Sequence, residues 1–216
     1  GGTNLLATSE RQLRALRGPS LSMVFQEPAT ALNPVKRIGT QMAEPFAIHT
    51  GLDRRERAEK VTQLLEETGL TSAGVSPERY PHELSGGQRQ RVALAIAVAL
   101  EPKVIVADEP TSALDSVAAD RVLNLLFDLT QQAQTSLILI THDMEVARRA
   151  HRIVVMANGE IVEAGPTHTL LSAARSPEAR ALLRARALYQ PGASAGDGKP
   201  AKPAPFLRVN ELRAGR

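Results

Sequence analysis

Two stretches of the chain hold the residue types from which phosphate chemistry is made. KVIVADEP (103–110) is an apolar run that ends in Asp108 and Glu109. A short apolar strand of this kind puts both carboxylates at the C-terminal edge of a sheet, where α/β folds bind ligands. There Asp108 would hold Mg²⁺ through water, because that ion keeps much of its hydration shell. Glu109 would orient or deprotonate an attacking water. The bland alternative is a strand that ends in a solvated acidic turn.

Upstream stands LSGGQRQR (84–91). Ser85 occupies an N-cap position, and Gly86 and Gly87 let a phosphate come close to the backbone. The helix that follows aims its partial positive end at that phosphate. Alone, the pattern is also that of any capped helix start. Followed at this spacing by a strand ending in Asp-Glu-Pro, it leaves that alternative little room.

These residues need elements to position them. Ser9 with Gln12 forms a capping-box pattern, which predicts a short helix over ERQLRALR that ends at Gly18. LSMVF (21–25) has strand length, and a proline-bearing loop follows Gln26. Ile38 to Ile48 is expected to be partly helical. Leu52 to Thr68 is a periodic helix stopped by Gly69, with the charges of DRRERAEK on its solvated face. Gln88–Leu100 and Ser116–Gln132 read as helices, KVIVAD and SLILIT (136–141) as buried strands, and MEVARRA as helical. Unbroken apolar strands between helices predict a parallel sheet covered on both faces. Asn158-Gly159 between RIVVM and EIVEAG is a hairpin signal. A helical tail is expected from Thr167 to about Tyr189. Residues 190–205 are rich in Pro, Gly and Ala and read as a linker, and FLRVNELR (206–213) is again strand-like.

Composition narrows the function classes. The chain has 216 residues, of which 43% are hydrophobic, enough for one sizeable core. A net charge of +3, with basic residues scattered over helical stretches, does not mark a nucleic-acid partner. Aromatic content of 3% leaves little for base stacking. There is no cysteine, which excludes disulfides, thiolate zinc sites and cysteine-ligated iron–sulfur clusters and fits a reducing compartment. No apolar run approaches the ~20 residues that span a bilayer.

Taken together, the motifs resemble the nucleotide-binding subunit of an ATP-binding cassette (ABC) transporter. Leu84–Gln88 matches the signature motif, Val104–Glu109 the Walker B strand, and Ser112–Asp115 (SALD) the D-loop. His142 in ITHDM matches the switch histidine, and Gln26 in MVFQEP the Q-loop. Five motifs stand in family order between residue 21 and about 165. MVFQEPATALNP and RYPHELSGG are similar to the dipeptide/oligopeptide permease ATPases of bacterial importers, and nickel importers share these features. The tail GPTHTLLSAARSPEARALL resembles that group's C-terminal extension, with Ser176-Pro177-Glu178-Ala179 departing from its His-Pro-Tyr-Thr pattern.

The resemblance implies a P-loop-type α/β cassette that binds ATP and Mg²⁺. It implies that Gln26 touches the metal and the attacking water, and that His142 couples the γ-phosphate to the catalytic carboxylate. Ser85, Gly86, Gly87, Gln88 and Asp115 would face nucleotide. Because such cassettes pair head to tail, the signature residues would serve ATP held by a second cassette, in another chain or the same one. Integral permease subunits would be direct partners on the cytoplasmic face of the bacterial inner membrane. A periplasmic or lipoprotein solute-binding protein would be an indirect partner, and nucleic acid none. Alternatives are a non-transport ABC ATPase and a non-catalytic cassette acting as an interaction module.

One expected motif is missing. No G-x-x-x-x-G-K-[ST] occurs. In the nearest lookalike, GASAGDGKP, Ala193 stands where the first glycine belongs and Pro200 where the hydroxyl belongs. The expectation is truncation rather than decay, since every downstream motif is intact. The expected organisation is a partial cassette over 1–165, with a helical and signature subdomain over about 27–100. An importer-type extension (166–189) and a linker (190–205) follow. Residues 206–216 would open a second cassette.

Overall fold

The computed structural model describes residues 4–26, 31–188 and 207–210. The linker 190–205 and the loop residues 27–30 lie outside them. The chain forms two compact units, Gly1–Ser136 and Leu137–Arg216.

In the first unit a 3-10 turn over Leu5–Ala7 precedes α1 (Glu10–Leu16), which carries the expected Ser9/Gln12 capping box. β1 (Leu21–Val24) and β2 (Val104–Asp108) are parallel neighbours, with Leu21 opposite Val104 and Val24 opposite Ala107. Between them in sequence lie α2 (Ile38–His49), α3 (Arg54–Glu67), a 3-10 turn over Pro81–Glu83, and α4 (Gly86–Val98). α5 (Ser116–Gln132) follows β2. α4 packs against β1, α2, α3 and α5, and it is apolar on most of its surface to do so. Val92, Leu94 and Ala95 are fully buried. α3 buries Val61, Leu64, Leu65 and the capping Thr68 at helical spacing and leaves its charged residues outside.

Two expectations change here. α2 runs unbroken through Pro45. Proline removes a donor to the carbonyl four residues back. Ile38, Met42 and Phe46 on one buried face outweigh that loss. Gln41 is also buried, and its side-chain amide bonds Asn33 and Lys36, bracing the entry to the helix. β2 was expected to be buried on both faces. Instead Ile105 and Ala107 are sealed while Val104 and Val106 are half-buried, so one face of this strand is less well covered.

The second unit holds β3 (Ser136–Thr141), α6 (Met144–Ala147), β4 (Arg152–Ala157), β5 (Glu160–Pro166), α7 (Thr167–Ser172), α8 (Pro177–Leu188) and β6 (Leu207–Asn210). β6 lies between β3 and β4 and is antiparallel to both, so β3 and β4 run the same way. β5 returns beside β4 through the Asn158-Gly159 turn, where both residues have positive φ (49° and 83°). That is the geometry a two-residue hairpin of this handedness requires. α6 is one turn rather than the whole of MEVARRA.

The tail is two helices, not one. Pro177 opens α8 at N1, and a residue before proline avoids helical backbone. Ser176 caps the new start, its Oγ accepting from the Ala179 N–H at 3.1 Å. The break is anchored by Glu163 on β5, whose carboxylate accepts from the N–H of Ser176 (2.8 Å) and of Arg175 (3.0 and 3.1 Å). Burial pulls the Glu163 pKa upward, but those N–H donors outweigh it and hold the group below its ordinary value. The anchoring is therefore present above the unfolded carboxyl value, about 4.3, and lost as pH falls through the lower folded value. We expect Glu163→Gln to lower the thermal midpoint at pH 7 by about 2–4 °C, for a net loss of about 1 kcal/mol. Melting curves of wild type and variant from pH 7 down to pH 3 check this. The difference should vanish at the acid end.

Candidate active site

Parallel register decides the first half of the site. Val24 is opposite Ala107, and two residues further on each strand stand Gln26 and Glu109. Both therefore emerge at the same C-terminal edge. Gln26 Nε2 donates to Glu109 Oε2 at 3.2 Å, across 83 residues of sequence. Asp108, the last residue of β2, is half-buried at that edge.

Glu109 is held in unusual backbone. Its φ is +43°, in the left-handed region that L-residues other than Gly, Asn and Asp seldom adopt, at about 1–2 kcal/mol. Such residues persist where surrounding contacts over-determine them, and they gather at functional sites. Its carbonyl accepts from the Ser112 N–H at 3.2 Å and from Ser112 Oγ at 3.1 Å.

The signature residues form a second half, also in the first unit. Ser85 is the N-cap of α4 in a full capping box. Its Oγ accepts from the Gln88 N–H at 3.2 Å, and Gln88 Oε1 accepts from the Ser85 N–H at 2.9 Å. Used as an acceptor, the hydroxyl keeps its own proton to donate outward. The N–H groups of Gly86 and Gly87 belong to the first turn, which has no intrahelical acceptor for them. A Cβ on Gly86 would meet Leu114 Cδ2 at 3.4 Å and one on Gly87 the Ala118 Cβ at 3.9 Å, both ordinary van der Waals contacts, so the fold itself has room for a small side chain at either position. These residues share a cavity of about 500 Å³ with Asp115. Asp115 caps α5, its Oδ1 accepting from the Ala118 N–H at 2.9 Å.

Sequence reasoning did not find Arg91 and Arg121, which line the same cavity. Each stands six residues after a helix cap (85 to 91, 115 to 121), and side chains on a helix lean back toward its N-terminus. That spacing was the available signal. The Arg91 guanidinium reaches the carbonyls of Thr68 and Gly69 at 3.5 Å. His142 belongs to the second unit, exposed in the turn between β3 and α6. Its neighbours fix that turn: the Asp143 N–H donates to Thr141 Oγ1 (3.0 Å), and Asp143 Oδ1 accepts from the Glu145 N–H (2.8 Å).

No cluster of three or more His, Cys, Asp or Glu side chains that could hold a metal occurs among the described residues. A strand-end carboxylate, Asp108, with the amide of Gln26 at the same sheet edge is a sparse donor set, of the kind that suits an ion taking most ligands from water and phosphate, as Mg²⁺ does. Among the described residues, no helix is long and apolar enough to cross a membrane.

A capped glycine helix mouth and a strand-end carboxylate pair, on an α/β frame, define a class of nucleotide-handling domain. Residues 4–112 match the ABC transporter family model. The chain belongs to the ABC transporter family. It is 42% identical over 185 residues to the dipeptide transport ATP-binding protein DppD of Escherichia coli (strain K12), covering 85% of this chain and 57% of that one. It is 47% identical over 191 residues to the di/tripeptide transport ATP-binding protein DppF of Pseudomonas aeruginosa (strain UCBPP-PA14), covering 88% and 58%. The chain thus spans a little over half the length of these relatives. Among solved structures, a dimeric ATP-binding cassette in a post-hydrolysis state, bound to ADP and Pi, superposes with a TM-score of 0.63 at 28% identity. That match covers 74% of this chain and 68% of the other. The α/β cassette fold is as expected from the sequence.

Proposed function

We propose that this chain is part of the ATP-hydrolysing subunit that energises a bacterial importer of peptides or related small solutes. The observation that carries the reading is the Gln26–Glu109 pair, joined at 3.2 Å at the carboxyl edge of parallel strands. Glu109, its carboxylate oriented by Gln26, takes a proton from water attacking a γ-phosphate. Asp108 and Gln26 would hold Mg²⁺, which when bound would supply charge neutralisation on the phosphates. For His142 the family resemblance supports a role toward the γ-phosphate.

Ser85, Gly86, Gly87, Gln88 and Asp115 serve a different nucleotide, one held by a second cassette packed head to tail. The dimeric state of the structural neighbour supports this arrangement. The names of the relatives support peptides as the solute class. The protein then works against permease subunits at the cytoplasmic face of the cell membrane, with a solute-binding protein acting indirectly. Residues 1–165 carry the cassette motifs, 166–189 the importer-type extension and 190–205 the linker, while the strand after it, β6, pairs with β3 and β4 of this chain rather than standing apart.

The test is turnover. The 216-residue chain alone is expected to hydrolyse ATP no faster than buffer, because no backbone cradle and lysine for the β- and γ-phosphates occur in its sequence. A form extended upstream by a phosphate-binding loop should hydrolyse ATP and, with permease subunits in vesicles, drive dipeptide uptake. Steady hydrolysis by the highly purified 216-residue chain that Glu109→Gln removes would overturn this division of the site.

A further inference from the structure

Glu109 has two reasons to leave the backbone conformation it holds. Its φ of +43° is strained for a side chain with a Cβ. It also precedes Pro110, whose ring pushes the residue before it toward extended backbone. Pro110 brings no N–H with which to close the turn itself. Something else must hold the peptide, and two donors converge on it. The N–H and the Oγ–H of Ser112 both end on the Glu109 carbonyl, at 3.2 and 3.1 Å. The turn continues through Leu114 N–H to Thr111 O at 3.1 Å and into the Asp115 cap of α5.

We propose that Ser112 is a positioning residue for the general base: its paired donors lock Glu109 in left-handed backbone, so that the carboxylate leaves the strand toward Gln26. Without the hydroxyl, one donor remains on the carbonyl. Glu109 then relaxes toward the extended backbone its proline favours, and the carboxylate swings away from its partner. This rests on the reading of Glu109 as the base. Neither measurement below depends on turnover. An active Glu109→Gln enzyme would therefore sink that reading, and the outcomes named here would sink the clamp.

The test uses the 216-residue chain. Ser112→Ala should lower the thermal midpoint by about 2–4 °C, the effect of one hydrogen bond in a domain of this size. In a Glu109→Gly background the left-handed conformation is unstrained and needs no clamp. There the same substitution should lower the midpoint by less than half as much. The second readout is the side-chain amide pair of Gln26 in ¹H–¹⁵N spectra. It should move toward free-amide positions in Ser112→Ala and return in Ser112→Thr, which keeps the hydroxyl. A merely structural serine would not move that signal. An unchanged Gln26 amide in Ser112→Ala, or an equal loss of midpoint in both backgrounds, overturns the proposal.

Discussion

Glu109→Gln, in a form of the protein that carries a phosphate-binding loop, is expected to bind ATP normally and turn it over about 100-fold or more slowly. The substitution is close to isosteric. The new amide presents a carbonyl oxygen to Gln26 Nε2, so the 3.2 Å contact survives. The left-handed backbone and the Ser112 bonds involve only the main chain of residue 109 and stay as they are. What disappears is a carboxylate able to take a proton from water. The loss should therefore fall on kcat, with nucleotide affinity and thermal midpoint nearly unmoved. Single-turnover hydrolysis beside equilibrium binding of a fluorescent nucleotide checks it. Turnover near that of wild type would remove Glu109 from the role.

Gly86→Asp should abolish ATP-dependent pairing of cassettes while each still binds nucleotide. The fold tolerates the change. The added Cβ meets only the end of the Leu114 side chain, at 3.4 Å, and an acid in the first turn of α4 suits the helix dipole. Its carboxylate stands where the phosphate of another cassette would approach. Two like charges at 4 Å repel by about 4 kcal/mol at an effective dielectric of 20, which is roughly 1,000-fold in association. Ser85→Arg blocks the same mouth by bulk and removes the cap, so it should lose pairing and some helix stability as well. Size-exclusion chromatography with and without ATP, in the Glu109→Gln background, reads the result. Pairing that persisted in both variants would place the signature helix elsewhere than opposite a phosphate.

Much of this site was legible before any coordinates because its parts are local. The Ser85 and Ser9 caps, the Asn158-Gly159 turn and the carboxylates at the end of an apolar strand each lie within a few residues of sequence, and each stands where expected. What was not legible depends on geometry that residue type does not encode. Glutamate has no preference for positive φ, so nothing in the letters DEP announces the strain at Glu109. Ser112 was visible as part of a motif but not as a double donor to a carbonyl three residues back. The antiparallel seat of β6 between β3 and β4 is a long-range pairing with no local code. The break before α8 was readable, since Ser176-Pro177 is a cap followed by a favoured first helical residue, and the apolar spacing on either side obscured it.

The shared register of β1 and β2 makes the site modular. Gln26 and Glu109 are aligned by a backbone ladder, and everything from α2 to α4 is a detour between two fixed points. Length and surface chemistry in α2 and α3 can drift with little effect on the alignment, because the ladder between β1 and β2 is made by their own backbones. A one-residue slip of either strand would turn its whole side-chain pattern over and send the partner to the opposite face. Change is therefore cheaper in α2 and α3 than in the eight paired residues of the ladder or in the Ser85–Gln88 mouth of α4, and those two helices are the natural place for such a chain to diverge.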